Sequence, residues 1–192
     1  MCEYIFLVYS TEHKRVFKLS NSVYCMLVPV FKPLYFLLKL LGCSVAWEVS
    51  VGAVIFRMEG KQRLYLLLHY PSGYFDFPKG HMEAGETETM TLIRETKEET
   101  GIHDVHIFPK RITISYFYVA KGNEQARRLR TGKGIRIFKK VYFYPAQTDT
   151  QTVSISHEHI GYVWLPYEEA LKKVTFENAK RVLAETEAYL CV

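Results

Sequence analysis

Glu95, Glu98 and Glu99 lie three and four residues apart, so on any helix they share one face. Three carboxylates so placed repel one another. Left alone, they raise each other's pKa or weaken the helix. A solvated acidic face would tolerate them, but the flanking residues favour a bound cation. Gly80 and Gly85 bracket a tight loop leading into the helix, where backbone can approach a ligand closely. Arg94 sits among acidic neighbours and can pair with Glu86, tying the loop to the helix. Gly101 stands where a helix beginning near Thr87 stops at Thr100. A hard divalent cation of the Mg²⁺ type prefers oxygen ligands, keeps several waters and is completed by substrate phosphates. The chain must therefore hold a glycine loop against an acidic helix.

The surrounding pattern shows what could support that pairing. From Trp47 onward Val49, Val51, Ala53 and Ile55 alternate with smaller or polar residues. Arg63 to Leu68 reads as a buried strand, reached through a turn at Gly60-Lys61-Gln62. Residues 70–79 read as a loop, residues 105–119 as strand broken at Pro109, and residues 135–144 and 162–165 as further strands. Thr175 is expected to cap a last helix running to about Leu190. Strands and helices without strict alternation predict an α/β (α+β) fold, a mixed sheet sandwiched between helices. The 192 residues suffice for one such domain over 46–192 and an N-terminal extension over 1–45.

The extension is apolar between Val23 and Leu41, but Lys32, Lys39, Pro29 and Pro33 argue against a membrane span. Contact of residues 23–41 with a membrane surface or a partner stays open. The formal net charge of +5 suits a protein with a polyanionic ligand. Arg127, Arg128, Arg130, Lys133, Arg136, Lys139 and Lys140 form a basic run that reads as a solvated loop or as a phosphate-attracting rim. Cys2, Cys25, Cys43 and Cys191 have no metal-knuckle or redox spacing, so free thiols and a cytoplasmic location are expected.

The spacing G-x5-E-x7-R-E-U-x-E-E-x-G-U, with U a bulky apolar residue, resembles the Nudix box. Gly80, Glu86, Arg94, Glu95, Glu98, Glu99, Gly101 and Ile102 match it within 23 residues, and Thr96 departs at the first U. Outside the box, Phe77-Pro78-Lys79-Gly80-His81, Ser156-His157-Glu158-His159, Trp164-Leu165 and Thr175-Phe176-Glu177-Asn178 are similar to the asymmetrical dinucleoside tetraphosphatases. The resemblance runs from Trp47 to Leu190 and leaves the first 45 residues unmatched.

That resemblance implies a Nudix fold. It also implies Mg²⁺-dependent hydrolysis (with Mn²⁺ as the alternative ion) of a pyrophosphate bond in a nucleoside polyphosphate, foremost diadenosine tetraphosphate to ATP and AMP. It implies Glu95, Glu98, Glu99 and the Gly80 carbonyl as metal ligands, and Glu95 or Glu158 as general base. Lys79, His81 and Lys139 would contact phosphate, with Lys140 in reserve should the register slip by one. Tyr70 and Phe176 would stack on a base, while Glu86, Arg94 and Gly101 support the motif. Tyr74 stands where the subgroup can carry a phosphate-binding histidine. Two other readings are a Nudix hydrolase of inositol pyrophosphates or 5′-triphosphorylated RNA, and a non-catalytic nucleotide-binding module. The retained glutamates speak against the second. The expected partner is a small nucleoside polyphosphate; no DNA is expected, and an RNA 5′ end is left open.

Overall fold

A computed structural model describes residues 5–8, 15–18 and 45–191. The described chain divides into two compact units. One spans residues 47–119 together with residues from 137 to the C-terminal helix, and the other takes residues 120–136 with the described residues before Trp47. Residues 23–41, the apolar stretch of the extension, lie outside the described residues, and among the described residues no helix is long and apolar enough to cross a membrane.

Ahead of the larger unit, β1 (Ile5–Val8) and β2 (Arg15–Lys18) pair antiparallel, with Ile5 opposite Lys18. The main sheet begins with β3 (Val45–Glu59) and β4 (Gln62–His69), antiparallel across the Gly60-Lys61 turn. Two short strands follow in the segment read from sequence as loop: β5 (Phe75–Asp76) on β4 and β6 (Lys79–His81) on β3. Next come α1 (Glu88–Thr100), β7 (His106–Ile107) and β8 (Ile112–Val119). After α2 (Gly122–Arg130), β9 (Arg136–Gln147) and β10 (Gly161–Pro166) complete the sheet. The chain ends in α3 (Tyr167–Lys173) and α4 (Glu177–Leu190). The strand order is β10-β4-β3-β9-β7, with β8 paired to β9.

The sheet is mixed and buries both faces, as the two-residue period dictates. Val54, Phe56, Tyr65 and Leu67 meet Ala170 of α3, Val174 just beyond it, and Val182 and Leu183 of α4. Val51, Ala53, Ile55, Leu66 and Leu68 point the other way, toward Leu92 of α1 and Ile102 just beyond it. Both layers are fully buried, so truncating one of their leucines to Ala costs about 2–5 kcal/mol.

Two local expectations need correction, and one helix had no expectation attached to it. The basic run is partly helical: α2 takes residues 122–130, and Arg128 is buried, pairing with Glu124 at 3.0 Å and donating to the Gly134 carbonyl at 3.2 Å. Thr175 does not cap α4; Phe176 occupies that position without a side-chain cap, and the Thr175 hydroxyl accepts the Phe75 N–H at 3.0 Å instead. The segment after β10, unassigned from sequence, is the helix α3, with Glu168 and Glu169 in its first turn and Lys172 and Lys173 in its last. That charge order is the one the helix dipole favours.

Candidate active site

The loop and the acidic helix meet through Arg94. Its Nε donates to Glu86 Oε1 at 2.7 Å and its Nη2 to Glu86 Oε2 at 2.9 Å, a bidentate pair. Nη2 also donates to the His81 carbonyl at 2.9 Å, which pins the loop. Glu86 accepts further bonds from the Glu83 N–H and the Thr91 hydroxyl. Chiefly through Arg94, these donors hold its pKa down to about 2.

At the start of α1, Thr87 accepts the Met90 N–H at 3.2 Å. At its end Gly101 takes a left-handed φ of 70° and bonds back to the Lys97 carbonyl at 2.9 Å. Thr96, the residue that departs from the box, is buried and so fills the apolar position.

Close approach explains Gly80. A Cβ there would overlap the carboxyl carbon and both oxygens of Glu95. Gly52, directly opposite Lys79, is required for the same kind of reason: a Cβ would fall 2.6 Å from the Pro78 carbonyl oxygen and 2.7 Å from Lys79 Cβ. These two glycines let the loop, the sheet and the acidic helix converge.

The three glutamates differ in environment. Glu99 is buried, and its Oε2 accepts the Lys79 N–H at 3.0 Å. Burial, with Glu95 and Glu158 nearby, pushes its pKa up to about 8 against the pull of Lys79. Burial also raises Glu95, although Arg94 Nη1 donates to its Oε1 at 2.6 Å. Glu98 is 58 % exposed and meets the same Nη1 at 3.2 Å. Arg94 therefore spans Glu95 and Glu98. Among the described residues, no three acidic, histidine or cysteine side chains converge as a preformed metal-binding group. The donor set still fits a hard cation. It is all oxygen, and Glu99 is a buried carboxylate that a cation would stabilise in its charged form.

Lys79 is neither solvent-exposed nor unpaired. Its Nζ lies 2.9 Å from Asp76 Oδ2 and donates to the Tyr70 hydroxyl at 3.3 Å, so it shares any phosphate contact with an acid. Burial opposes the charged form, yet Asp76 carries the ammonium well above the ordinary lysine value. His81 Nε2 lies 3.5 Å from Glu48. Along β9, Lys139 shares the face of Val141 and Phe143, the side on which Phe143 would meet a Gly52 Cβ next to that of Lys79. Lys140 takes the other face, 5.4 Å over the Tyr142 ring.

An aromatic wall borders Lys79. Tyr70 stacks on Tyr74 with centroids 4.4 Å apart, and Tyr74 meets Phe176 at 5.1 Å. His159 stands edge-on to Tyr70 at 4.5 Å. One face of Tyr70 is thus taken by Tyr74, whereas Phe176 is 47 % exposed. The wall is held by reciprocal bonds between two distant segments: Phe75 N–H to Thr175 Oγ1 at 3.0 Å and Thr175 N–H to the Phe75 carbonyl at 3.2 Å. Glu158 is exposed on the loop before β10, close enough to act on both Glu99 and Tyr74.

Gly52, Tyr74 and Asp76 were not singled out from sequence as site residues with these roles. Asp76 did carry a signal, an acid between Phe75 and Phe77 three residues before Lys79. The roles of Gly52 and Tyr74 appear only once strands and turns are paired.

The fold agrees with comparison to known proteins. A family profile described as NUDIX domain matches residues 46–186, and the chain belongs to this family: it is a Nudix hydrolase. It is 33% identical over 152 residues to the mouse bis(5′-nucleosyl)-tetraphosphatase [asymmetrical], covering 74% of this chain and 95% of that one. The Caenorhabditis elegans protein of the same name is 30% identical over 149 residues, covering 73% and 95%. A crystal structure of a C. elegans Ap4A hydrolase binary complex superposes with a TM-score of 0.58 at 28% identity, covering 75% of this chain and 98% of that one.

Proposed function

We propose that this Nudix hydrolase is an asymmetrical dinucleoside tetraphosphatase that cleaves diadenosine tetraphosphate to ATP and AMP. The observation that carries the reading is the meeting of a carboxylate-lined loop with an aromatic wall at Lys79: Glu99 on its N–H, Tyr70 on its ammonium, and Tyr74 and Phe176 beyond. Such a corner serves a ligand with both phosphates and a base. The names of the curated relatives favour the same substrate class.

Glu95, Glu98, Glu99 and the Gly80 carbonyl would hold a divalent cation, Mg²⁺ or Mn²⁺. When bound, such an ion neutralises phosphate charge and polarises the attacked group. The chain's own residues do the rest. Lys79 and Lys139 contact phosphate oxygens, and His81 lines the loop beside them. Phe176 takes the base, with Tyr70 supporting the wall through Tyr74. Glu158 accepts the proton of the attacking water; its exposure lets that proton pass on to solvent. The water oxygen bonds to phosphorus, the bridging P–O bond breaks, and its electrons stay on the departing phosphate. Glu95 is the alternative base, and a Glu158→Gln enzyme that keeps its turnover would transfer the role to it.

Residues 46–192 form the catalytic domain on this reading. The exposed free thiol of Cys191 suits a reducing, cytoplasmic setting. The test is chromatography of products after incubation of the full chain with diadenosine tetraphosphate and Mg²⁺. ATP plus AMP, lost on chelation, is the expected result. Two ADP, or no turnover, would overturn the substrate assignment.

A further inference from the structure

Asp76 is a carboxylate inside an apolar segment, and the hydrolysis proposed above makes no use of it. Its side chain is 10% exposed, and that of its partner Lys79 16%. Both oxygens are committed: Oδ1 accepts the Phe77 N–H at 2.9 Å, and Oδ2 lies 2.9 Å from Lys79 Nζ. Lys79 is further enclosed by the Tyr70 hydroxyl at 3.3 Å and by its ring at 5.1 Å. A buried acid against a buried base forms a nearly neutral unit. A phosphate reaching this corner meets an ammonium whose charge is already matched, and must share it with Asp76. The neighbouring rings of Tyr74 and Phe176 offer binding energy that does not depend on charge.

We propose that Asp76 is a specificity-determining residue: by matching the charge of Lys79, it disfavours ligands held by phosphate alone and leaves the site to polyphosphates that also carry a base. The proposal rests on the reading of Lys79 as a phosphate contact. It excludes bare inorganic polyphosphates and inositol pyrophosphates as good ligands, although both carry ample charge.

The sign of the effect separates this role from a merely structural one. Removing the acid takes away the carboxylate 2.9 Å from the ammonium, and an arriving polyanion can take its place, so affinity for bare polyphosphate rises. A residue that only shapes the loop would, when lost, loosen the corner and weaken binding.

The experiment measures inorganic tripolyphosphate, with Mg²⁺, as a competitive inhibitor of diadenosine tetraphosphate hydrolysis by the full chain. Asp76→Asn keeps the size of the side chain and an acceptor for the Phe77 N–H, and Asp76→Ser serves as a second variant should the first melt early. The expected result is a Ki lower by roughly five- to tenfold, with a steeper dependence on NaCl. Combining the change with Lys79→Met should abolish the gain. An unchanged or higher Ki in both Asp76 variants overturns the proposal, as does a gain that survives without Lys79. If Lys79→Met alone alters neither Ki nor KM, the phosphate role of Lys79 fails instead, and the two failures are told apart.

Discussion

Gly80→Ala should separate activity from stability. The added Cβ would occupy the space of the Glu95 carboxyl group, so that group must retreat by more than about 1 Å to regain ordinary van der Waals contact. Because the obstacle is the end of a flexible side chain, the fold can yield. Overpacking of this kind costs about 1–3 kcal/mol, at the low end here, and the bond from Arg94 Nη1 to Glu95 is strained or lost. For a chain of this length that is a fall in Tm of roughly 2–6 °C. Activity is less forgiving: a displacement of about 1 Å in a catalytic group can cost on the order of 100-fold. The assay pairs a thermal melt with steady-state hydrolysis of diadenosine tetraphosphate. A Gly80→Ala enzyme that turns over within threefold of the parent would refute the placement of Glu95 at the reacting centre. A protein that no longer folds would refute the view that Glu95 can move aside.

Three further outcomes are expected. Glu98→Gln should lower turnover at least about 100-fold while shifting stability by less than about 1 kcal/mol, because its ion pair with Arg94 lies on an exposed edge; parallel rate and urea measurements check both. Thr175→Val removes the hydroxyl that accepts the Phe75 N–H, so KM for diadenosine tetraphosphate should rise with kcat little changed, and the Ki of tripolyphosphate should not move. Asp104 is held down to about 2 chiefly by the Thr148 hydroxyl, with the Thr150 hydroxyl and Asp149 N–H adding to it. A depressed carboxylate stabilises the fold above its unfolded pKa, and that contribution is lost as pH falls from about 4 toward 2. Urea midpoints across that range should show a shallower acid loss in Asp104→Asn, and identical profiles would remove Asp104 from the acid transition.

Legibility from sequence tracked how local each interaction is. The acidic helix was readable because every determinant of it lies within one window: Thr87 caps it, Gly101 ends it in the left-handed region, and the 3.6-residue period aligns Glu95, Glu98 and Glu99. The buried strand at Leu64 to Leu68 was readable because a sheet covered on both faces needs a continuous apolar run. Two helices escaped for opposite reasons. Nearly all of α2 is polar or charged, so it lacks an apolar stripe, while α3 is too short for one and had only its charge order to mark it. The cap assigned to Thr175 failed because a more distant partner, the Phe75 backbone, takes the hydroxyl.

What the sequence by itself determined, then, is the chemistry of the site: the residue types and spacings that bring carboxylates onto one helical face and tie them to a glycine loop through Arg94. Only the tertiary structure decided how that chemistry is surrounded. Gly52 opposite Lys79, Tyr74 across Tyr70, Phe75 locked to Thr175 and Asp76 against the Lys79 ammonium all depend on strands and turns coming together. Periodicity reports which face a residue takes within its own element. It carries no record of what stands opposite, because that is set by burial and register across the whole sheet.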